Sequence, residues 1–310
     1  MGLSLLAAPL NFHILQTLEE GPKALLDLRR SVGSPPQSTM RLYSRTLTEQ
    51  GVIDRRRRAE FPGSAEYEIT TAGRDLLAAA GVLGEWLQVA PEGPIPLGSP
   101  AAKSATKALV EGWSTNIIRA IAARPLSLTE LNRLIPKVSY PSLERRLGSM
   151  RLANLVEPHP GDGRGTPYMA TEWLRRSVVP LAAAANWERR NRPDGVQPIG
   201  RLDVEAAFLL AAPLMRMPPD FSGTCRLAVE VQGGSSPVFA GVLIGFEEGR
   251  VVSCSSRLEG GEVEAWVSGS PVAWLDRLSG ADGKSLELGG DISMAAAILD
   301  GLGAVATVPA

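Results

Sequence analysis

At 310 residues, with 44% hydrophobic and 21% charged residues, the chain is long enough for two or three domains and too apolar to stay disordered. Its formal net charge is −1, but the balance is 0 over residues 1–90, +6 over 91–200 and −7 over 201–310, so the middle suits a polyanion and the last third does not. Two cysteines, Cys225 and Cys254, exclude a disulfide framework, and no run approaches the ~20 apolar residues of a membrane span.

In chain order, the opening MGLSLLAAPL lacks the basic segment of a signal peptide and breaks at Pro9, which with the two cysteines predicts a cytoplasmic protein. Ile14, Leu15 and Leu18 give a first helix its apolar face, and Gly21-Pro22 stops it. A short second helix begins at Ala24. Ser34 is a candidate N-cap, with Pro35 at the first helical position and Gln37 beyond it. The third helix then turns Met40, Ser44 and Leu47 inward and Gln37, Ser38, Thr39, Arg41, Leu42 and Arg45 outward. Gly51 ends it. Strands over 52–57 and 66–70 make a hairpin whose outgoing arm carries Arg55, Arg56, Arg57 and Arg58. A final amphipathic helix runs over 72–88, and a Pro/Gly-rich linker is expected over 91–111.

The unit then repeats. Residues 13–54 align without a gap onto 116–157, with Leu25 and Leu28 on Leu128 and Leu131, Met40 on Leu143, and Val52-Ile53 on Leu155-Val156. After a connection two residues shorter, Tyr67, Thr70 and Trp86 fall on Tyr168, Thr171 and Trp187. In the second copy Ser127 and Glu130 have capping-box spacing. Its third helix presents Ser139, Ser142, Arg145 and Arg146, and its hairpin keeps a single arginine, Arg164. The expected boundaries are 1–90 and 112–195 for the two units and 200–310 for a last domain.

A helix-turn-helix followed by a basic hairpin is a winged helix. The hydroxyls, amide and guanidiniums on the third helix suit base edges and phosphates in a major groove, and the hairpin arginines suit neighbouring phosphates of double-stranded DNA. The pattern Leu28-x-Arg30, Leu47-x-x-x-Gly51-Val52-Ile53-x-Arg55, Phe61-Pro62, Glu66-Tyr67-x-Ile69-Thr70-x-x-Gly73-x-x-Leu76 and Trp86 resembles the HxlR-type winged-helix transcriptional regulators, relatives of the MarR group. That resemblance implies a bacterial DNA-binding regulator. Members usually work as homodimers, so a tandem copy implies a monomeric pseudo-dimer, or a homodimer of such chains, with the Trp86 and Trp187 helices paired. The second copy departs from the pattern, with Asn154 for the glycine and Trp173-Leu174 for Ala72-Gly73.

Residues 201–310 read as a helix, a set of mostly antiparallel strands and further helices, an α+β arrangement. The order Trp266-Val-Ser-Gly-Ser-Pro-x-Ala-Trp274-Leu, Leu286-x-Leu-Gly289-Gly290-Asp291 and a closing helix resembles the sterol-carrier-protein fold. That resemblance implies an apolar tunnel for a small-molecule effector, lined by Phe208, Leu209, Leu214, Met215, Phe239 and Trp266. The plainer expectation is that these six form the core of the domain.

Catalytic and metal motifs are missing from the sequence: His13 and His159 fall in different units, and no Cys-x-x-Cys or His-Glu-x-x-His occurs. The expectation is therefore a regulator with no cofactor and no enzymatic activity. The competing expectation is a protein-interaction module whose winged helices grip another protein while the last domain carries a lipid.

Overall fold

The computed structural model describes residues 2–57, 65–110, 114–160, 165–191, 201–231, 238–256, 262–280 and 285–307. The fold is a mixture of helices and largely antiparallel sheets. The first unit comprises α1 (Gly2–Leu6), α2 (Pro9–Glu19), β1 (Lys23–Ala24), α3 (Leu25–Ser31), α4 (Gln37–Glu49), β2 (Ile53–Arg57), β3 (Ala65–Ile69) and α5 (Thr71–Gln88). Its sheet runs β1-β3-β2. Ile14, Leu15, Leu18, Leu28, Met40 and Leu47 fill the core from α2, α3 and α4.

Helix α4 starts at Gln37, with Pro36 rather than Ser34 at the cap position. The expected Ser34 cap fails because a residue before proline is pushed out of the helical region. Pro36 imposes this on Pro35, and Ser34 takes a left-handed turn at φ 54°.

Residues 114–191 repeat the order of elements: α7 (Ser114–Ala123), β4 (Leu126–Ser127), α8 (Leu128–Leu134), α9 (Tyr140–Leu152), β5 (Val156–Pro158), β6 (Pro167–Ala170), α10 (Glu172–Arg176) and α11 (Val178–Asn191). The sheet order β4-β6-β5 matches that of the first unit. A threonine clamp recurs at equivalent sites. Thr70 Oγ1 donates to the carbonyls of Gly51 and Val52 at 2.7 and 3.0 Å and accepts the Gly73 amide at 3.1 Å. Thr171 Oγ1 donates to Asn154 and Leu155 at 2.9 and 3.1 Å and accepts the Leu174 amide at 3.1 Å. Gly51 and Asn154 both close the third helix with positive φ, 70° and 55°, a conformation that glycine and asparagine tolerate best.

The long helix differs between the copies for a steric reason. A Cβ on Gly73 would stand 2.2 Å from the Val52 carbonyl, so α5 rests directly on the hairpin. Leu174 occupies that place in the second copy and is fully buried, and the helix breaks at Ser177, whose hydroxyl donates to the Leu174 carbonyl at 2.6 Å. Pro180 has no amide to continue the ladder, so α11 starts afresh. Within the stretch expected as linker lies α6 (Pro100–Val110), which buries Ala102, Ala105, Ala108 and Leu109 against its neighbours.

The capping box of α8 is formed: the Ser127 hydroxyl accepts the Glu130 amide at 3.3 Å, and the Glu130 carboxylate accepts the Ser127 amide at 2.8 Å. That amide, then Arg124 at 3.0 Å and the Ser127 hydroxyl, holds the Glu130 carboxyl down at about 2. The folded value lies below the unfolded one, so the stabilisation is present above pH ~4.5 and is lost as pH falls toward 2. Ser127→Ala is expected to cost about 1 kcal/mol, and Glu130→Gln to flatten stability between pH 4.5 and 2. Urea unfolding at pH 3, 4 and 7 checks both.

The last third holds α12 (Arg201–Ala211), a 3-10 turn (Ala212–Leu214), β7 (Gly223–Val231), β8 (Val238–Glu247), β9 (Arg250–Ser255), β10 (Ala265–Gly269), α13 (Pro271–Leu278), β11 (Glu287–Gly290) and α14 (Ile292–Thr307). The sheet runs β11-β10-β7-β8-β9, and among the described strands only β10 and β7 pair in parallel. Cys225, Leu227, Val242, Ile244, Ala265 and Val267 share one face and are buried. Ser270 caps α13 by accepting the Ala273 amide at 3.2 Å.

The two repeated units meet through corresponding parts. Leading helix α1 packs on leading helix α6, and trailing helix α5 packs on trailing helix α11. Trp86 Nε1 donates to the Trp173 carbonyl at 2.8 Å, and Trp187 Nε1 donates to the Ala72 carbonyl at 2.7 Å. Trp86 aligns with Trp187 and Ala72 with Trp173, so these two bonds are related by the repeat. The Trp86 and Trp173 rings also stack at 4.3 Å and 5°. Helix α11 packs on α5 and α1 and also on α13, α12 and α14. It is the shared wall between the repeat and the last domain.

Candidate nucleic-acid interface

Helices α3 and α4 and the β2–β3 hairpin form the candidate surface of the first unit. Burial of Met40, Ser44 and Leu47 turns the opposite side of α4 to solvent, where Gln37, Ser38, Arg41, Leu42 and Arg45 are exposed and Thr39 is half-buried. No side chain caps the start of α4, at Gln37 and Ser38. Uncapped helix N-termini suit a phosphate oxygen. Arg45 also reaches Glu49, at 3.7 Å, in an exposed pair of little energetic weight.

The hairpin arginines are not equivalent. Asp54 pairs with Glu68 and Arg56 with Glu66 across the strands, so Arg56 shares its face with carboxylates. It reaches Glu68 at 2.5 Å and Asp54 at 3.5 Å. Arg55 stands on the side of Ile53 and is exposed. Arg57 pairs with Ala65 in register, but its side chain, like all of Arg58, lies outside the described residues.

The corresponding helix of the second unit, α9, carries a different surface. By the ungapped alignment, Tyr140, Glu144 and Gly148 stand where α4 has Gln37, Arg41 and Arg45. Ser139 and Ser142 hydrogen-bond to each other at 2.9 Å, Arg145 is exposed and Arg146 is half-buried. Helix α6 packs against α9, and a groove between them is bordered by Ala105, Ala108, Ser149 and Leu152. Arg164 lies outside the described residues. Tyr140, 44% exposed, was not among the expected contact residues; its place opposite Gln37 in the alignment was the signal for it.

Residues 7–92 match the HxlR-like helix-turn-helix family. The first unit is an HxlR-like helix-turn-helix domain. A solved structure from Enterococcus faecalis V583, described as a MarR-family transcriptional regulator, shares 25% identity, covers 27% of this chain and 77% of its own, and has a TM-score of 0.26. Comparison with curated proteins finds no match. The HxlR-like domain suggests a DNA-binding transcriptional regulator.

The six residues expected to line a tunnel are dispersed. Phe208, Leu209 and Met215 are fully buried, and Phe208 packs edge-on against Trp274 at 4.6 Å. The Trp274 indole donates to the Ala228 carbonyl at 2.8 Å. Leu214 is half-buried and borders a pocket of about 280 Å³ with Trp86, Arg176 and Val179, between units rather than inside the last domain. Trp266 is 36% exposed, because its neighbours Ala265 and Val267 take the buried face of β10 and the indole lies over Gly289 on the other. The Phe239 side chain lies outside the described residues.

One arginine joins the last domain to the second unit. Arg175 donates to the Leu209 carbonyl at 2.8 Å and the Ala122 carbonyl at 3.4 Å, near the ends of α12 and α7. Burial lowers its pKa. The half-buried Arg119 pairs with the buried Glu205 at 2.6 Å and ties α7 to α12 a second time. Arg74, the counterpart of Arg175 in the first unit, is exposed. Arg175→Ala leaves two helix-end carbonyls without their charged donor and is expected to cost about 2–3 kcal/mol, while Arg74→Ala stays within about 0.5 kcal/mol. Parallel urea titrations of the two variants test the contrast.

Proposed function

We propose that this protein is a transcriptional regulator in which two winged-helix heads on one chain meet adjacent half-sites of duplex DNA, and that an apolar effector bound through the C-terminal domain adjusts them. The observation that carries the two-head reading is the pair of repeat-related indole bonds, Trp86 to Trp173 and Trp187 to Ala72. They join the units as two subunits would be joined in a symmetric dimer. Heads set for successive major grooves would lie ~34–36 Å apart. Effector control is supported by α11, which touches the first unit on one side and the C-terminal helices on the other.

The heads are unequal in this reading. The first presents Arg41, Arg45 and the arginine hairpin, and the second presents Glu144 and Gly148 at the places of Arg41 and Arg45. Fluorescence anisotropy with genomic fragments at several salt concentrations tests the proposal. Affinity should fall steeply with salt, by roughly 0.9 in log–log slope per phosphate contact. Absent or salt-independent binding would overturn it. A second reading, that the second head grips a protein, is favoured by exposed Leu134, Tyr140 and Leu152 on that unit. It predicts that Arg145→Ala leaves DNA affinity unchanged, and that Tyr140→Ala with Leu152→Ala also leaves it unchanged while a protein partner is lost in pull-down.

A further inference from the structure

The pocket of about 280 Å³ that Leu214 borders is a cleft where the first unit, the second unit and the last domain meet. Val82 of α5, Val179 of α11, Leu214 of the 3-10 turn and Val305 of α14 face it, each half-buried, so all three parts leave aliphatic surface in one place. The rim is open and carries two exposed, opposite charges, Glu85 on α5 and Arg216 just after the 3-10 turn. Among the described residues the Glu85 carboxylate has no ion pair or hydrogen bond. Arg216 Nη1 donates to the Pro213 and Met215 carbonyls at 3.0 and 2.9 Å. Those bonds orient the guanidinium, and its parallel Nε and Nη2 donors meet no carboxylate among the described residues. The other charges on the lining, Glu172 and Arg176, are matched to each other at 2.8 Å.

We propose that this cleft binds a zwitterionic amino acid with an apolar side chain. Its ammonium donates to the Glu85 carboxylate, its carboxylate accepts from Nε and Nη2 of Arg216, and its side chain covers the aliphatic walls. Opposite charges on one rim select opposite charges on one ligand, because a simple anion leaves Glu85 unmatched and a simple cation leaves Arg216 unmatched. The volume sets the size. A cavity of ~150 Å³ takes benzene, so about 280 Å³ takes a ring with a short polar head, the size of phenylalanine. Charge matching at the rim and covered aliphatic area supply the affinity, so the cleft need not be closed. An occupant touches α5 of the first unit, α11 of the second and the last domain at once. The regulatory consequence of that bridge rests on the effector reading above; the binding itself does not.

Calorimetry on the full chain with L-phenylalanine, phenethylamine and hydrocinnamate reads the two charges separately. Phenethylamine keeps the ammonium and lacks the carboxylate, and hydrocinnamate does the reverse. Phenylalanine should bind at least about tenfold tighter than either and raise Tm at saturation by about 2 °C or more. Glu85→Gln should weaken phenylalanine and phenethylamine about tenfold and leave hydrocinnamate within about twofold. Arg216→Gln should weaken phenylalanine and hydrocinnamate to the same degree and spare phenethylamine. Both residues are exposed, so the unliganded Tm should hold in each variant. No binding of phenylalanine, equal affinity for the three probes, or a charge variant that changes all three alike or none would overturn the site. Anisotropy of the DNA complex with and without phenylalanine separates the two claims. Bound phenylalanine that leaves DNA affinity unchanged removes the regulatory role and keeps the site, and a chain that binds no DNA removes the regulator reading while calorimetry still decides the site.

Discussion

Trp86→Ala is expected to destabilise the protein by about 3–5 kcal/mol, the range for deleting a buried aromatic side chain. Trp86 is 2% exposed and stacks on Trp173, and the two residues exchange indole-to-carbonyl bonds of 2.8 and 2.9 Å. Removing the ring deletes the stack and strands the Trp173 carbonyl, while the Trp173 indole keeps its acceptor, the backbone carbonyl of residue 86. The loss is a large part of the ~5–15 kcal/mol that holds a typical domain together. Because the seam rather than either core is damaged, unfolding should also split into two transitions as the heads lose their coupling. Trp86→Phe keeps most of the packing and loses the N–H, for about 1–3 kcal/mol. Trp187→Phe should match it, since its bond to Ala72 is the counterpart across the repeat. Urea unfolding followed by far-UV circular dichroism measures all three. A Trp86→Ala protein within about 0.5 kcal/mol of the parent would show that the units are not held at this seam.

The features legible in the sequence are those fixed by local geometry. Gly51 announces a helix end, Ser127 and Glu130 announce a capping box, and Met40, Ser44 and Leu47 announce one face of a helix; each is found as read, and Asn154, which departs from the glycine of the pattern, takes the same left-handed conformation as Gly51. Helix α4 within residues 7–92 likewise turns its expected contact side chains outward. What escaped reading depends on neighbours distant in the chain. The two-residue strands β1 and β4 carry no periodicity of their own and exist because β3 and β6 offer an edge. Helix α6 follows a run of prolines and glycines that reads as linker, and only its packing against α1, α7 and α9 reveals it.

The candidate ligand residues show the limit more sharply. Alternation along β10 separates Trp266 from Ala265 and Val267, but it does not say which side is covered. Size favours burying the indole, yet the helices cover the side with the smaller residues, and Trp266 instead spreads over Gly289. Arg74 and Arg175 are identical residues at equivalent places, and the presence of α12 makes one a half-buried tie and leaves the other in solvent. A seam between domains has no local signature, so the Arg175 tie could not be read from the chain.

Arg41→Ala with Arg45→Ala is expected to weaken DNA binding at least ~30-fold at fixed salt. Each guanidinium projects from the exposed side of α4, and a base or phosphate contact from such a position is worth about 1–3 kcal/mol. The same pair of changes made at Arg145 and Arg146 should cost less. Arg146 is half-buried, and Glu144 already places a negative charge on that helix. The hairpin should respond residue by residue. Arg55→Ala is expected to lower the log–log salt slope by nearly one unit, the amount for one lost phosphate contact. Arg56→Ala should change it less, because Asp54 and Glu68 already hold that guanidinium. Anisotropy titrations at 50–200 mM salt with one duplex, run on all four variants, give both quantities. Equal losses from α4 and α9 would mean that the two heads grip DNA alike, and an unchanged slope for Arg55→Ala would return the hairpin to solvent.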